Sequence, residues 1–589
     1  MRRSKPLAAL AGVALLSLAA CGGGSSDTPG DGNATPDDFE EASSGFQKNP
    51  NAEGPAPDIE GATAGGTLTV YVPGDPGPTT LDPTEGWSVL GNSLQQAWTN
   101  RSLTQYLMNP ESGEMELVPD LATDLGRPND DFTEWTFTLR DGVKWENGNP
   151  VTADEVAWGI KRSLDSDTFA AGPGTEYSKT YFAGGADYKG PYTDPDAAYD
   201  GITVSGNDIT IKMSKPFADM DWWGTFMAMG PAPLGDASAP PAYGKKPLST
   251  GPYKIESFRS GEELVLVKND QWDPATDPAR HQYADKIVVK FNQDQNKVDQ
   301  IMLSGNTDSQ AAVVHSGINS ANFQKLTTTL GDRLVKQSAQ CTSFMAPDYT
   351  KITDIRVRKA LAYAIPYEEI WLATGEIPNV TRVPANSVMP PGMAGKPDYY
   401  ADGEQFTYNP EKAKALLEEA GVEMPYKLTN VFFEPDPLAK DGQKALVAGM
   451  AEAGFELTGI PIEVSPYDIW LNPDDKTNAK LNLRGVNWCS DWPSGLTMIP
   501  PLLKTGAAYN TSFFSEAAID AEMDAISTKP LDEQAAAWGA LDEKIGTEFL
   551  PLIPTAFRNE MMMYGEKVGN FHGDPSFGAP YYKGLFVMQ

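Results

Sequence analysis

The chain has 589 residues and a formal net charge of −34, with 80 acidic side chains against 46 basic ones. So acidic a surface excludes general nucleic-acid binding and disfavours direct adsorption to anionic lipid. Only three histidines and three cysteines occur. None forms an H-E-x-x-H, a CxxC or a Cys/His cluster, so no metal or haem site on the usual ligands is expected.

Arg2, Arg3 and Lys5 precede an uncharged stretch, 7–20, built almost wholly of Ala, Leu, Val and Gly. This is a signal-peptide pattern, too short for the roughly 20 residues that a spanning helix needs. It ends in Leu18-Ala19-Ala20-Cys21, which resembles a bacterial lipobox. There the small residues fit the signal peptidase and the Cys21 thiol takes a diacylglycerol; plain secretory cleavage after Ala20 is the alternative. Residues 22–64 hold nine acidic residues, one lysine and many Gly, Pro and Ser. That composition predicts a flexible acidic linker, which would keep a globular body near a membrane but off it.

The body opens with a strand at 67–72, where Thr alternates with apolar residues. A second alternating run, 134–140, leads into an Asp141-Gly142 turn. Thr152-Ala153-Asp154-Glu155 fits a capping box, and the helix after it would share one face among Val156, Ile160 and Leu164. Residues 165–250 are loop-rich. Strands are predicted at 209–213, 263–268 and 286–291, and a basic-then-apolar helix at 355–370. A helix over 410–420 starts at Asn409-Pro410 and stops at Gly421. A strand over 480–486 ends at Asn487-Trp488. Alternating strands and helices predict an α/β architecture without internal repeats. Neither a phosphate-binding loop nor a G-x-S-x-G elbow occurs, so nothing calls for an enzyme or a cofactor. With Cys21 lipidated, Cys341 and Cys489 remain; in an exported chain they are expected to pair, with two buried free thiols as the alternative.

Several ordered segments together resemble the family 5 extracellular solute-binding proteins, the oligopeptide, dipeptide and nickel binders. They are Leu81-Asp82-Pro83, Val118-Pro119-Asp120-Leu121-Ala122, Leu139-Arg140-Asp141-Gly142-Val143-Lys144-Trp145 with Gly148-x-Pro150-Val151, and Ser249-Thr250-Gly251-Pro252-Tyr253. Asp354-Ile355-Arg356-Val357-Arg358-Lys359-Ala360-Leu361 and Tyr408-Asn409-Pro410-Glu411-Lys412-Ala413 complete the set. The resemblance implies a two-lobed, periplasmic-binding-protein-like fold of type II. Lobe I would comprise 65–340, with an inserted subdomain at about 106–240, and the return 561–589. Lobe II would comprise 341–560. Ligand would sit between lobes that close by hinge motion.

Trp488-Cys489-Ser490-Asp491-Trp492 resembles the Trp-Cys-x-Asp motif of oligopeptide binders. The resemblance implies that Asp491 pairs with a peptide α-ammonium and that Cys489 is bridged to Cys341. Elementary electrostatics agrees on Asp491: a buried ammonium needs a carboxylate partner, and the flanking Trp488 and Trp492 offer an apolar setting. A turn carboxylate before Pro493 is the bland alternative. Glu85 and Gly86 resemble a site near the peptide's N-terminal end, and Tyr467 an aromatic that packs on a ligand side chain. Tyr177 and Tyr181 are two candidates for a hydroxyl that reaches the ligand backbone, with Tyr181 preferred. Arg484 lies one residue away from where such binders carry a carboxylate-anchoring arginine, which on a strand reverses its face. Met561-Met562-Met563 reads as core. The function so implied is an extracytoplasmic, lipid-anchored, monomeric binding protein that delivers peptides to an ABC importer permease. The alternatives are the same fold holding a nickel chelate, glutathione, haem or an oligosaccharide, or a cell-surface hydrolase.

Overall fold

A computed structural model describes residues 46–110, 112–234, 240–529 and 531–589. The signal peptide, Cys21 and most of the linker lie outside the described residues. The chain divides into two compact units. The first is drawn from Gly45–Ser316, Asp332–Gln337 and Met562–Gln589, the second from Gly317–Gly331 and Ser338–Met561.

The linker expected over 22–64 is corrected at its C-terminal end, because residues 46–64 pack on the first unit as a strap. Gln47–Lys48 (β1) pairs in parallel with the strand Met115–Pro119. Lys48 Nζ lies 2.6 Å from Asp221 and over the Trp222 ring, while Phe46 meets Tyr106 and Trp222 edge-on. Ala56 is buried, and the Thr63 hydroxyl donates to the Val587 carbonyl. The anchoring side chains are scattered among Gly, Pro and Asp, so average composition conceals them.

In the first unit the central strand Thr67–Pro73 (β2) places Leu68, Val70 and Val72 in the core. Tyr253–Arg259 (β3), Glu263–Lys268 (β4) and Lys286–Gln293 (β5) form an antiparallel meander. β2 is parallel to β5 on one side and to Ala312–Val314 (β6) on the other. Two parallel neighbours leave β2 no open edge, and its burial becomes continuous only over Val70, Tyr71 and Val72, beyond the alternating Thr67 and Thr69. The helix Ala153–Arg162 (α1) carries the expected capping box: Thr152 Oγ1 accepts from the Glu155 amide, and Glu155 accepts from the Thr152 amide at 3.0 Å. Val156, Ile160 and Leu164 are all fully buried.

Family-like segments supply the latches of this unit. Asp120 accepts from Arg101 Nε at 2.7 Å and from Arg280 at 2.9 Å, and Arg280 also holds Asp277. Burial alone would push the Asp277 carboxyl up, but Arg280 and Arg101 hold it far below the usual carboxylate range. Ser249 Oγ donates to the Thr99 carbonyl, and Thr250 Oγ1 accepts from the Arg101 amide.

The second unit contains most of Leu334–Pro347 (β7). Ile355–Ala364 (α2) and Tyr367–Ala373 (α3) replace the single helix expected over 355–370. The break falls at Ile365, in extended conformation with ψ 117°, because Pro366 disfavours helical backbone in the residue before it. Pro410–Ala420 (α4) is bounded as expected: Asn409 accepts from the Lys412 amide, and Gly421 takes φ +69°. Tyr426–Phe433 (β8), Pro437–Glu452 (α5) and Phe455–Ile462 (β9) make a parallel β-α-β crossover.

Leu483–Cys489 (β10) starts three residues later than the expected strand at 480–486. Asn478–Lys480 forms a 3-10 turn, and Asn482 bonds sideways to Thr429 and Lys427. Ladder pairing begins only at Leu483 opposite Pro347. β10 lies at the sheet edge beside β7, and Ile553–Tyr564 (β11) flanks β7 on its other side. Met561, Met562 and Met563 are buried, in keeping with core packing.

Candidate functional site

In the second unit the candidate residues converge on the end of β10. Cys341 and Cys489 stand opposite each other in the ladder and are joined by a disulfide that closes a 148-residue separation. A loop of that length corresponds to roughly 5 kcal/mol in the chain-entropy account. The next residue is held as well. The Ser490 amide donates to the Gln340 carbonyl, and the Ser490 hydroxyl to Gln340 Oε1 at 2.9 Å. Beyond Asp491, Trp492 is only 2% exposed and its carbonyl accepts from Thr497 Oγ1 at 3.0 Å. Trp488 Nε1 donates to the Thr497 carbonyl at 2.6 Å. Thr497 therefore ties both indole residues into one closed turn, and the half-buried Asp491 sits within it, fixed from either side.

An aromatic group borders this turn. The Trp488 ring lies 4.6 Å from that of Tyr509, and Tyr467 contacts both Trp470 and Tyr509. Tyr467 sits in the short helix Pro466–Trp470 (α6), capped by Ser465. Its hydroxyl donates to the Asn487 carbonyl at 3.2 Å and accepts from the Asn487 amide at 2.9 Å. It thus satisfies the edge of β10 as a neighbouring strand would. Burial raises the Tyr467 phenol above its ordinary range.

Arg484 is a structural residue. Its guanidinium is buried and bonds Asn478 Oδ1 at 2.7 Å, the Asn478 carbonyl and Asp348 at 3.0 Å, with Phe513 packed on its face. All three nitrogens are engaged, so the arginine is committed to the fold. Beside it, β7, β8, β10, α3 and Trp470 line a partly open cavity of about 240 Å³.

In the first unit Glu85 lies on the turn that follows Leu81-Asp82-Pro83. Asp82 Oδ1 accepts from the Thr84 amide, and its other oxygen takes Arg162 at 2.5 Å. Arg162 also reaches Thr84 Oγ1 at 2.7 Å and the Tyr192 hydroxyl at 2.8 Å. One buried guanidinium thereby shapes the loop that presents Glu85. Burial first, and then the charge of Asp82, raises the Glu85 carboxyl above its ordinary range. A side chain at Gly86 would press on the Met227 methyl.

The two tyrosine candidates separate. Tyr177 meets Trp87, two residues from Glu85, and packs on Trp223. Tyr181 instead stacks on Phe217 at 4.1 Å, with Lys215 over its ring. Trp87 and Arg162 were not singled out by sequence reading. Trp87 adjoins Glu85-Gly86 and could have been, whereas the partner of Arg162 lies 80 positions away. Among the described residues no group of three or more His, Cys, Asp or Glu could hold a metal ion, and no helix is long and apolar enough to cross a membrane.

The family described as bacterial extracellular solute-binding proteins, family 5, middle region, matches residues 116–510, well over half the chain. The chain belongs to that family. Family 5 members are binding proteins of transport systems that work outside the cytoplasm; they are not enzymes. Among curated relatives, the periplasmic oligopeptide-binding protein OppA of Salmonella typhimurium is 22% identical over 486 residues, covering 78% of this chain and 83% of its own. The periplasmic murein peptide-binding protein MppA of Escherichia coli is 25% identical over 497 residues, 81% of this chain and 85% of its own. Among solved structures, clavulanic acid biosynthesis oligopeptide binding protein 2 superposes with a TM-score of 0.79 at 22% identity. That match covers 92% of this chain and 99% of the other. The α/β fold of this family 5 protein is thus that of the periplasmic binding proteins.

Proposed function

We propose that this family 5 protein captures peptides by their free amino terminus and passes them to the permease of an ABC importer. The lipid on Cys21 holds it at the outer face of the cell membrane. The observation that carries the reading is the setting of Asp491, a carboxylate fixed between a disulfide-linked strand end and a buried tryptophan. A cation enclosed there is matched by a carboxylate of opposite charge. Backbone pairing supplies the rest: β10 lies at the sheet edge, and between Asn487, whose amide and carbonyl Tyr467 takes, and Asp491 an extended ligand chain adds to such an edge through main-chain hydrogen bonds. Glu85 in the first unit is a further candidate ligand residue. Two named relatives bind peptides of different kinds, which fits recognition of what all peptides share.

Calorimetry with tetra-alanine and N-acetyl-tetra-alanine tests the reading. Tight binding of the free amine, at least a hundredfold weaker binding of the acetylated form, and loss of that difference in Asp491→Asn are expected. Equal affinity for both forms overturns it.

A further inference from the structure

One residue of β7 carries two energetic costs at once. Gln340 stands immediately before Cys341, where the pairing of β7 with β10 begins. Its φ is +49°, a left-handed backbone that glycine or asparagine takes far more readily than a long side chain. The residue is 2% exposed, and its Nε2 has no hydrogen-bond partner among the described residues. A buried amide N–H left unsatisfied is destabilising. Neither feature helps the chain to fold.

Both belong to the way Gln340 holds Ser490. In the register set by Cys341 and Cys489, Gln340 and Ser490 are the next pair. On a regular antiparallel ladder such a pair exchanges two backbone hydrogen bonds. Here one survives, the Ser490 amide donating to the Gln340 carbonyl at 3.1 Å. The left-handed turn swings the Gln340 amide away to Ser338 Oγ at 3.4 Å. A side-chain bond stands in for the lost one, with Gln340 Oε1 accepting from the Ser490 hydroxyl at 2.9 Å. The chain therefore leaves the ladder at Ser490 and is still gripped there, one residue short of Asp491. Burial does not demand this grip. Ser490 is only half-buried, and water would satisfy its hydroxyl as well.

We infer that Gln340 is the positioning residue of the ligand carboxylate. By gripping Ser490 at backbone and side chain it sets the angle at which Asp491 meets the free amine of the ligand. The left-handed backbone and the unpartnered amide are the strain kept for that purpose. The inference rests on the peptide reading above and names what places its anchor. Replacing a residue kept for recognition lowers affinity without lowering stability. Replacing one kept for folding lowers both together.

Calorimetry with tetra-alanine and N-acetyl-tetra-alanine, joined to urea unfolding, provides the test on Gln340→Met, Ser490→Ala, the double variant and Ser490→Thr. Gln340→Met keeps the length of the side chain and removes both the grip and the unpartnered amide. Its urea midpoint should stay at or above that of the wild type, while affinity for the free-amine peptide falls about tenfold. The preference over the acetylated peptide should fall by the same factor. Ser490→Ala should match it, and the double variant should lose no more than either alone, because the two residues form one link. Ser490→Thr keeps the hydroxyl and should retain most of the preference. An unchanged preference in Gln340→Met, additive losses in the double variant, or a midpoint that drops in step with affinity overturns the inference alone. Wild-type protein that takes both peptides equally sinks the amino-terminal reading, and this inference with it.

Discussion

Each unit buries an arginine–aspartate pair beside its candidate ligand residues, and the two pairs do different work. In the first unit Arg162 grips Asp82 and Thr84 and so shapes the turn that carries Glu85. In the second, Arg484 grips Asp348 and Asn478 and so withdraws the nearest guanidinium from the cavity. One pair presents a carboxylate; the other removes a cation. The lesson is that neither arginine serves as a fixed carboxylate anchor.

The comparison can be broken most severely by removing one partner. Arg162→Ala and Arg484→Ala should each cost about 3–5 kcal/mol of stability, since each strands a buried aspartate; urea unfolding measures this. The two should part in binding. The Arg162 variant should also lose affinity for free-amine peptides through the Glu85 turn, whereas the Arg484 variant, per folded molecule, should keep its discrimination against N-acetylated ones. Loss of that discrimination in Arg484→Ala would mean that the arginine meets the ligand.

Reduction of the Cys341–Cys489 bridge comes next. A loss of about 2–5 kcal/mol is expected, with weaker peptide capture because Asp491 lies two residues beyond the bridge; thermal melting with and without reductant, in the presence and absence of tetra-alanine, reads both. Trp488→Phe removes the bond to Thr497 and should cost about 1 kcal/mol, while slackening the turn enough to raise the peptide off-rate.

The smallest effect concerns Glu85. Its folded-state carboxyl is raised, so the folded protein holds the proton more tightly than the unfolded chain does. Its contribution is therefore present at low pH and is lost as pH rises through the raised value. Glu85→Gln should flatten that part of the stability–pH curve, measured as the difference between the wild-type and variant profiles from pH 4 to 7. Identical profiles would show that Glu85 is not desolvated in the folded protein.

Much of the local structure was legible in the sequence because its causes are local. The capping box at Thr152 and Glu155, the Asn409-Pro410 start and the Gly421 stop each depend on residues within a turn of one another. The break at Ile365 was equally local, since Pro366 announces it, but the basic-apolar pattern across 355–370 outweighed that single residue. Long-range pairing was not legible. Leu81-Asp82-Pro83 and Val118-Pro119-Asp120 were recognisable as segments, yet their physical purpose is to meet Arg162, Arg101 and Arg280, which no periodicity reveals. The ring neighbours of Tyr177 and Tyr181, Trp87 and Phe217, are likewise supplied only by the fold. The candidate site was legible around Asp491 because the bridged cysteine, the carboxylate and both indoles fall within five consecutive positions. The cavity was not, because its wall is gathered from β7, α3, β8, α6 and β10.

The strap has a practical consequence for anyone producing the protein without its leader. A version cut to begin at residue 65, where the first long strand approaches, would strip the cover from Tyr106, Trp222 and the Leu107–Val118–Ala279 cluster. It would leave Asp221 without its lysine and invite aggregation through the bared rings. The sound starting point lies ahead of Phe46.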